Sequence, residues 1–277
     1  MLICQLTDLH IRPFGLPANR TAETNMLVER AFRTVAALRP RPDVVLITGD
    51  LTECGLDAEY EQLRVLLRRC LDLPVYVVPG NHDRRENFRR HLGDLPGVTS
   101  DPEFVHYAIE DHPVRIVMLD TVVPGAGHGE LCAARLDFLD RTLAAQPDKP
   151  TIIAMHHPAM ICGIAHMDRI ALRDQAAFRD IVARHPQVER ILCGHHHRAI
   201  TSRVAQAILT VAPSAAHQVE MTLDPEDPGA FVFEPSAFLL HRWTPADGIA
   251  THTVYVERFP GPFPFVTDPD YPGRAEK

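Results

Sequence analysis

The sequence of 277 residues contains no apolar run that approaches the roughly 20 residues needed to span a bilayer. It also lacks a basic leader, because the apolar residues 1–6 run directly into a polar cluster at Thr7 and Asp8. Such a start is typical of a first strand and not of a signal peptide. We therefore predict a cytoplasmic protein without a membrane partner.

Dense basic clusters are missing as well. The strongest are the arginine pairs at 84–85 and 89–90, and 28 basic against 36 acidic residues give a formal net charge of −8. This charge repels polyphosphate backbones and argues against a duplex nucleic acid as a partner. A small anionic substrate is compatible with it, because bound metal cations would reverse the local field.

The six cysteines include no C-x-x-C pair, and a chain of this length does not require disulfides. We expect reduced, mostly buried thiols. The length fits one principal domain with a large core.

Short apolar runs, many rich in β-branched residues, alternate with helical patterns through the first 200 residues. Strands are predicted at 2–6, 44–47, 75–78, 104–109, 114–119, 151–155 and 190–193. Helices are predicted at 23–38, 57–70, 133–145 and 173–183. This alternation predicts an α/β fold.

From about residue 200 strands predominate, which suggests a second sheet packed on the first. They are predicted at 200–204, 207–211, 219–223, 237–243 and 251–257. We divide the chain into a core at 1–220, a cap or insertion at 221–236, strands completing the second sheet at 237–257, and a Pro-rich tail at 258–277.

Polar side chains follow five of the predicted strands where each strand ends. They are Asp8 and His10, Asp50, Asn81 and His82, His156 and His157, and His195 and His197. Ligands bind outside the carboxyl ends of the strands in open α/β sheets, so these side chains should face one crevice. A single His at the end of a strand is more often a surface or core residue whose hydrogen bonds are satisfied. The recurrence of such polar residues at five strand ends favours a metal site.

The spacing and the donor atoms indicate which kind of metal. Residues two apart on a strand project to one side, so Asp8 with His10 and His195 with His197 are each suited to grip one ion. Carboxylate, amide and imidazole donors without thiolate suit Fe, Mn, Zn or Co. A carboxylate shared between two ions activates water and clamps phosphoryl oxygens, so no Ser or Cys nucleophile is required.

These motifs together resemble those of the calcineurin-like metallophosphoesterases, especially the bacterial glycerophosphodiesterase and cyclic-nucleotide phosphodiesterase branch. The resemblance covers about residues 2–200. It implies a four-layer α/β/β/α sandwich of two mixed sheets flanked by helices, to which we add a small C-terminal cap. It also implies two metal ions, one held by Asp8, His10 and His197 and the other by Asn81, His156 and His195, with Asp50 bridging both.

The neighbours of these ligands invite more specific expectations. His82 would reach the phosphoryl oxygen or the leaving group, and Asp83 would orient its ring. His157 is open between support of the ligands and plain packing. The resemblance suggests a supporting role for His217. For substrate contacts we consider the loop after the first strand, with Arg12, Asn19, Arg20 and Asn25.

The leading interpretation is a phosphodiesterase for small diesters such as glycerophosphodiesters or 3′,5′-cyclic nucleotides. The alternatives are a phosphomonoesterase or protein phosphatase, and a non-catalytic scaffold of the same fold. No arginine cluster stands beside a metal motif, and Arg198 should point away from the ions, which favours diesters over dianionic monoesters.

Aromatic residues of the C-terminal half suggest self-association. This half contains more large apolar side chains than a small loop should expose to water, namely Phe231, Phe233, Phe238 and Trp243. We therefore predict a homo-oligomer formed through this half. The alternative is that these side chains pack beneath the second sheet.

Overall fold

The computed structural model describes residues 1–264, so the predicted tail at 258–277 lies largely outside the described residues. The helices are α1 (Thr24–Ala37), α2 (Asp57–Cys70), α3 (Arg85–Leu92), α4 (Ala133–Ala144), α5 (Ala165–Asp168) and α6 (Gln175–Arg184). The strands are β1 (Leu2–Leu6), β2 (Val44–Thr48), β3 (Val75–Val78), β4 (Tyr107–Ile109), β5 (Arg115–Leu119), β6 (Thr151–Met155), β7 (Val188–Cys193), β8 (Ile200–Val204), β9 (Ala207–Val211), β10 (Gln218–Val219), β11 (Phe231–Val232), β12 (Ala237–Thr244) and β13 (Gly248–Tyr255).

The first sheet has the strand order β13-β12-β1-β2-β3. Strands β1, β2 and β3 are parallel, and the hairpin β12-β13 is added antiparallel to β1, with Ile3 opposite His241. The prediction that residues 237–257 complete the second sheet is therefore wrong. The free edge of β1 takes this hairpin, because an unpaired edge there would leave buried backbone groups without hydrogen bonds.

The second sheet has the order β4-β5-β6-β7-β9-β8 and is mixed, with parallel pairs in its centre. Its central strands β5 and β6 are buried on both faces, whereas the edge strand β8 is partly exposed. On β5, Ile116 and Met118 join the core cluster of the first sheet, whereas Val117 and Leu119 pack with residues of α4 and α6. Since side chains alternate along a strand, the two sheets pack face to face and the helices cover their outer faces.

This arrangement confirms the predicted α/β/β/α sandwich of two mixed sheets. Helix α3 was not predicted, because only Phe88 and Leu92 are buried among its many charged residues. The short helix α5 and the strand β11 also gave no usable periodicity.

The segment 221–236 folds back on residues 217–219. Its strand β11 pairs with β10, and Phe231 packs edge-on against the ring of His217 at 5.1 Å between centroids. The assignment of this segment as a cap stays a prediction.

The aromatic residues behind the oligomer prediction divide into two groups. Phe238 is fully buried in the core and Trp243 packs against the same core, so for these two the packing alternative holds, although in the first sheet. Phe233 remains 57% exposed.

Within residues 1–264, no helix is long and apolar enough to cross a membrane. All six cysteines are free thiols, with Cys4 and Cys193 buried.

The position of the hairpin predicts a stability effect. Phe238→Ala should lower the free energy of unfolding by about 3–5 kcal/mol, because it leaves a cavity in the core. The control Val65→Ala, at a site on α2 that is 51% exposed, should change it by less than about 0.5 kcal/mol. Urea denaturation measures both values, and a small effect of Phe238→Ala would contradict the placement of β12 in the core.

Candidate metal centre

The predicted strand-end residues meet where the carboxyl ends of the two sheets face each other. The backbone of Asp8 is tied to Gly49 across β1 and β2, and Gly194 is tied to His156 across β6 and β7. The Nδ1–H of His156 donates to the Thr48 carbonyl at 2.8 Å, which joins the two sheets directly. The site therefore lies between the sheets and draws on both.

Left-handed backbone conformations, and not strand alternation, aim several of these side chains. Strand β1 ends at Leu6 and β7 ends at Cys193, before the polar residues begin. Positive φ angles occur at Asp8 (53°), His10 (47°), Asp50 (48°), His195 (72°) and His197 (51°). Non-glycine residues seldom adopt this conformation, and its concentration here is typical of a functional site.

The first group of donors contains Asp8, His10 and His197 and extends to Asp50. The Nε2 atoms of His10 and His197 lie 3.1 Å apart, and His197 Nε2 lies 3.4 Å from Asp8 Oδ1. His10 Nε2 lies 3.8 Å from Asp50 Oδ2. These separations bring the four side chains around one point, as expected for the ligands of one ion.

The second group contains Asn81, His156 and His195 and also reaches Asp50. His156 Nε2 lies 3.1 Å from Asn81 Oδ1 and 3.3 Å from Asp50 Oδ2. His195 brings a ring nitrogen within 4.8 Å of a ring nitrogen of His156. Its Nε2–H donates a hydrogen bond to the Ile170 carbonyl at 3.0 Å, so Nδ1 is the nitrogen that remains free to bind a metal ion. Asp50 is the residue common to both groups.

The charges of the cluster fit a cation. Asp8 is 0% exposed and Asp50 2%, and among the described residues neither carboxylate pairs with a Lys or Arg. Burial opposes ionisation, yet the field of His156 and His82 holds the pKa of Asp50 well below its ordinary value. Burial likewise lowers the pKa of His156, but Asp50 outweighs it and raises that pKa to about 9. Two buried carboxylates require compensating positive charge, which bound metal ions would supply.

The ligand histidines are held in the way that metal-binding histidines usually are. Three of the four donate Nδ1–H to an oxygen and so present Nε2 to the centre, whereas His195 has the opposite orientation. The contacts are His10 to Glu53 Oε2 at 2.7 Å, His156 to the Thr48 carbonyl at 2.8 Å, and His197 to the His217 carbonyl at 2.8 Å. This pattern, together with the oxygen and nitrogen donor set, fits Fe, Mn, Zn or Co.

His82 lies at the mouth of the centre, whereas Asp83 lies behind it. The backbone N–H of His82 donates to Asp50 Oδ1 at 2.9 Å, and its ring Nδ1–H donates to the Glu53 carbonyl at 2.7 Å. Asp83 does not orient that ring, which corrects its predicted catalytic role. Its carboxylate instead accepts hydrogen bonds from the backbone of Leu51, Thr52 and Gly80 and from the hydroxyls of Thr52 and Tyr60.

Glu53 is the functional residue that the sequence reasoning missed. Its side chain orients His10 and its carbonyl orients His82, so one residue fixes both rings. The sequence did contain an indication of this role, because Glu53 lies three residues after Asp50 in the same loop at the end of β2.

The two remaining histidines pack against rings of the centre and differ in their polar contacts. His157 Nδ1 accepts from the Thr121 hydroxyl at 2.7 Å and its Nε2–H donates to the Gly127 carbonyl at 3.2 Å. Both of its nitrogens are thus engaged. The ring of His217 packs 5.2 Å from that of His10 and 4.9 Å from that of His197. Burial, then the charges of His197 and His10, lower the pKa of His217 to about 2.

The loop after β1, considered above for substrate contacts, has two residues that are engaged within the protein and two that are exposed. Arg12 pairs with the buried Glu59 at 2.5 Å, and Asn25 bonds the backbone of Arg12 in both directions, so these two have structural roles. Asn19 and Arg20 are exposed, and neither lines the cleft at the centre.

That cleft, of about 450 Å³, is lined by Asn81, His82, Arg84 and residues 125–127 among others. Arg84 is exposed and was not expected beside a metal motif. Arg198 pairs with Glu234 at 2.9 Å and bonds the Val219 carbonyl, so it does point away from the centre.

The fold and the site define a class of protein in which two face-to-face mixed sheets hold a buried cluster of Asp, His and Asn donors between them. The calcineurin-like phosphoesterase family matches this chain over residues 1–199. The chain belongs to that family.

Named relatives resemble the chain over nearly its whole length. A probable glycerophosphodiester phosphodiesterase GpdQ from Arcobacter nitrofigilis is 35% identical, covering 97% of this chain and 98% of that one. The 3′,5′-cyclic adenosine monophosphate phosphodiesterase CpdA from Pseudomonas aeruginosa is 30% identical, with 83% of each chain covered.

Solved structures share the fold at low identity. A dimetal phosphatase from Danio rerio aligns with a TM-score of 0.62 at 16% identity, covering 93% of this chain and 99% of that one.

The dual contact of Glu53 predicts an effect on metal affinity. Glu53→Ala should weaken metal binding by about 10- to 100-fold, because His10 loses the acceptor that fixes its ring. Glu53→Gln should weaken it less, since the amide oxygen can still accept from Nδ1–H.

Competition with a chelating indicator measures these affinities, and Glu61→Ala on the exposed face of α2 is the matched control. Unchanged affinity in Glu53→Ala would show that the contact has no positioning role.

Proposed function

We propose that this chain is a metal-dependent phosphodiesterase that hydrolyses small phosphodiesters, such as glycerophosphodiesters or 3′,5′-cyclic nucleotides. The observation that carries the proposal is the position of Asp50, whose carboxylate lies within 4 Å of donors from both groups, 3.8 Å from His10 and 3.3 Å from His156. The names of the relatives from Arcobacter nitrofigilis and Pseudomonas aeruginosa support the substrate class.

In this proposal, each group of donors holds one ion. Asp8, His10 and His197 hold the first, Asn81, His156 and His195 hold the second, and Asp50 contributes to both. When bound, such a pair of ions lowers the pKa of a water molecule and neutralises charge on the phosphoryl group. These donor atoms bind Fe, Mn, Zn and Co alike, so the metal present in the protein would depend on which of them is available.

The chain's own residues position the substrate. His82 is partly exposed in the cleft, and the Glu53 carbonyl accepts its Nδ1–H, so Nε2 is the nitrogen left to contact a substrate. Protonated at Nε2, this ring can donate to a phosphoryl oxygen or to the departing alcohol. Because its backbone also donates to Asp50, the ring is placed relative to the ligand that both groups share.

The cleft favours a diester over a monoester. Recognition of a terminal dianion usually uses a bidentate arginine held in place by its surroundings. Arg198 is committed to Glu234, and Arg84 is exposed at the rim. A second ester arm can extend into the open cleft, whereas polymeric diesters are repelled by the net charge of −8.

We expect bis(p-nitrophenyl) phosphate to be hydrolysed with a kcat/KM at least roughly tenfold above that of p-nitrophenyl phosphate, or about 1.4 kcal/mol. A glycerophosphodiester and 3′,5′-cAMP, measured under the same metal loading, then identify the better natural class. A clear preference for the monoester would replace the proposal with a phosphomonoesterase.

Two controls tie this activity to the centre. The metal-stripped protein and Asp50→Asn should both lose turnover, the latter because an amide cannot supply the shared charge while it keeps the shape of the side chain. Circular dichroism checks the fold of the variant. Near-normal hydrolysis in either sample would exclude the two-ion mechanism.

We further propose a cytoplasmic homo-oligomer formed through the C-terminal half. Although Phe238 is buried, this half still exposes large apolar side chains, which are Met221, Leu223, Phe233, Tyr255, Phe259 and Phe263. Exposure of this many large apolar side chains after residue 220 favours their burial against another copy.

Light scattering at micromolar concentration should give at least twice the chain mass of 31.0 kDa. Phe233→Ser should shift the distribution towards the monomer, because it removes apolar area from the contact. A strictly monomeric wild-type protein would defeat this proposal.

A further inference from the structure

A second cluster of metal-binding side chains lies apart from the seven proposed ligands. Cys162, Asp168 and His196 each bring one donor atom within 4.8 Å of the others. Cys162 and Asp168 belong to the segment around α5, whereas His196 comes from the loop after β7. The three donors are a thiol, a carboxylate and an imidazole, which are all zinc ligands.

The ring of His196 is buried but has no role in the fold's hydrogen bonding. The residue is 0% exposed, and neither Nδ1 nor Nε2 has a hydrogen-bond partner among the described atoms. A neutral imidazole carries one donor and one acceptor, and leaving both unpaired in the interior is costly. Among the described residues, its donor atoms converge with those of Cys162 and Asp168 and not with those of the seven proposed ligands, although its ring stands 5.5 Å from that of His195.

The carboxylate of Asp168 is fixed in place beside it. Its two oxygens accept the backbone N–H groups of Cys162 and Gly163, each at 2.9 Å. Each oxygen retains a further lone pair for another partner. The Ile170 carbonyl, two residues beyond α5, also accepts from His195, so this segment is already anchored to the loop that carries His196.

We propose that Cys162, Asp168 and His196 form a third metal site, selective for a thiophilic divalent cation such as Zn²⁺. Ligand atoms around tetrahedral zinc lie about 3.5 Å apart at normal bond lengths. Because the three donor atoms lie within 4.8 Å of one another, closure requires each pair to approach by at most about 1.3 Å. Rotation of the half-buried Cys162 side chain supplies such a movement. The ion would fasten the α5 segment to the loop between His195 and His197.

Metal binding would change the state of Cys162. Burial and the neighbouring Asp168 raise the pKa of the free thiol to about 11, so it is protonated and unreactive without an ion. A coordinating metal displaces that proton to solvent and forms a metal–thiolate bond, with no change in oxidation state. The thiolate distinguishes this site from the proposed centre, which offers only nitrogen and oxygen donors.

That difference provides a direct test with cobalt. The full-length protein loaded with Co²⁺ should show a near-ultraviolet thiolate-to-cobalt charge-transfer band. Cys162→Ser should abolish the band, and Cys70→Ser, which removes a half-buried thiol at the end of α2, should leave it unchanged. Both are conservative substitutions outside the proposed ligands of the catalytic centre.

The metal content gives an independent reading. After equilibration with Zn²⁺ and gel filtration, the wild-type protein should retain one more ion per chain than Cys162→Ser does. Absence of the band in the wild-type protein, its persistence in Cys162→Ser, or equal zinc content would each overturn the proposal. None of these readings depends on catalytic activity, so they separate this site from the proposed phosphodiesterase centre.

Discussion

The structure depends on the burial of two carboxylates, Asp8 and Asp50, between its two sheets. An ionised carboxylate in a protein interior requires a compensating charge, and within residues 1–264 neither has a Lys or Arg partner. Histidine rings surround them instead, each with its outer nitrogen bonded and its inner nitrogen free. These contacts therefore indicate that metal cations provide the positive charge that balances Asp8 and Asp50.

The backbone makes this crowding possible. A Cβ atom at Gly80 would lie 2.2 Å from Asp50 Oδ1, and one at Gly194 would lie 1.9 Å from the Thr7 hydroxyl. Glycine at these positions lets strand-end loops from both sheets approach the same point. The left-handed conformations of Asp8 and Asp50 then turn their carboxylates inward. The motifs therefore supply the glycines that permit close packing as well as the proposed metal ligands.

Much of this could be predicted from the sequence, because strand ends carry a local signal. The apolar runs at β1, β2 and β6 end in polar residues, and the structure brings these residues together as expected. Sheet membership carries no such signal, so the hairpin β12-β13 was placed in the wrong sheet. The roles of Asp83 and Glu53 were likewise misassigned or missed, because hydrogen bonds across 23 to 43 positions leave no trace in spacing. Arg12 and Asn25 were considered for substrate contacts because they are polar and follow β1. Their partners, Glu59 for Arg12 and the backbone of Arg12 for Asn25, are evident only in the folded structure.

The most direct test of the central claim is anomalous X-ray diffraction from crystals equilibrated with Mn²⁺. The account predicts two strong anomalous peaks between the sheets. One should lie among Asp8, His10 and His197, the other among Asn81, His156 and His195, with the Asp50 carboxylate between them. A single peak, or peaks bounded by other side chains, would contradict the account of how the buried carboxylates are neutralised.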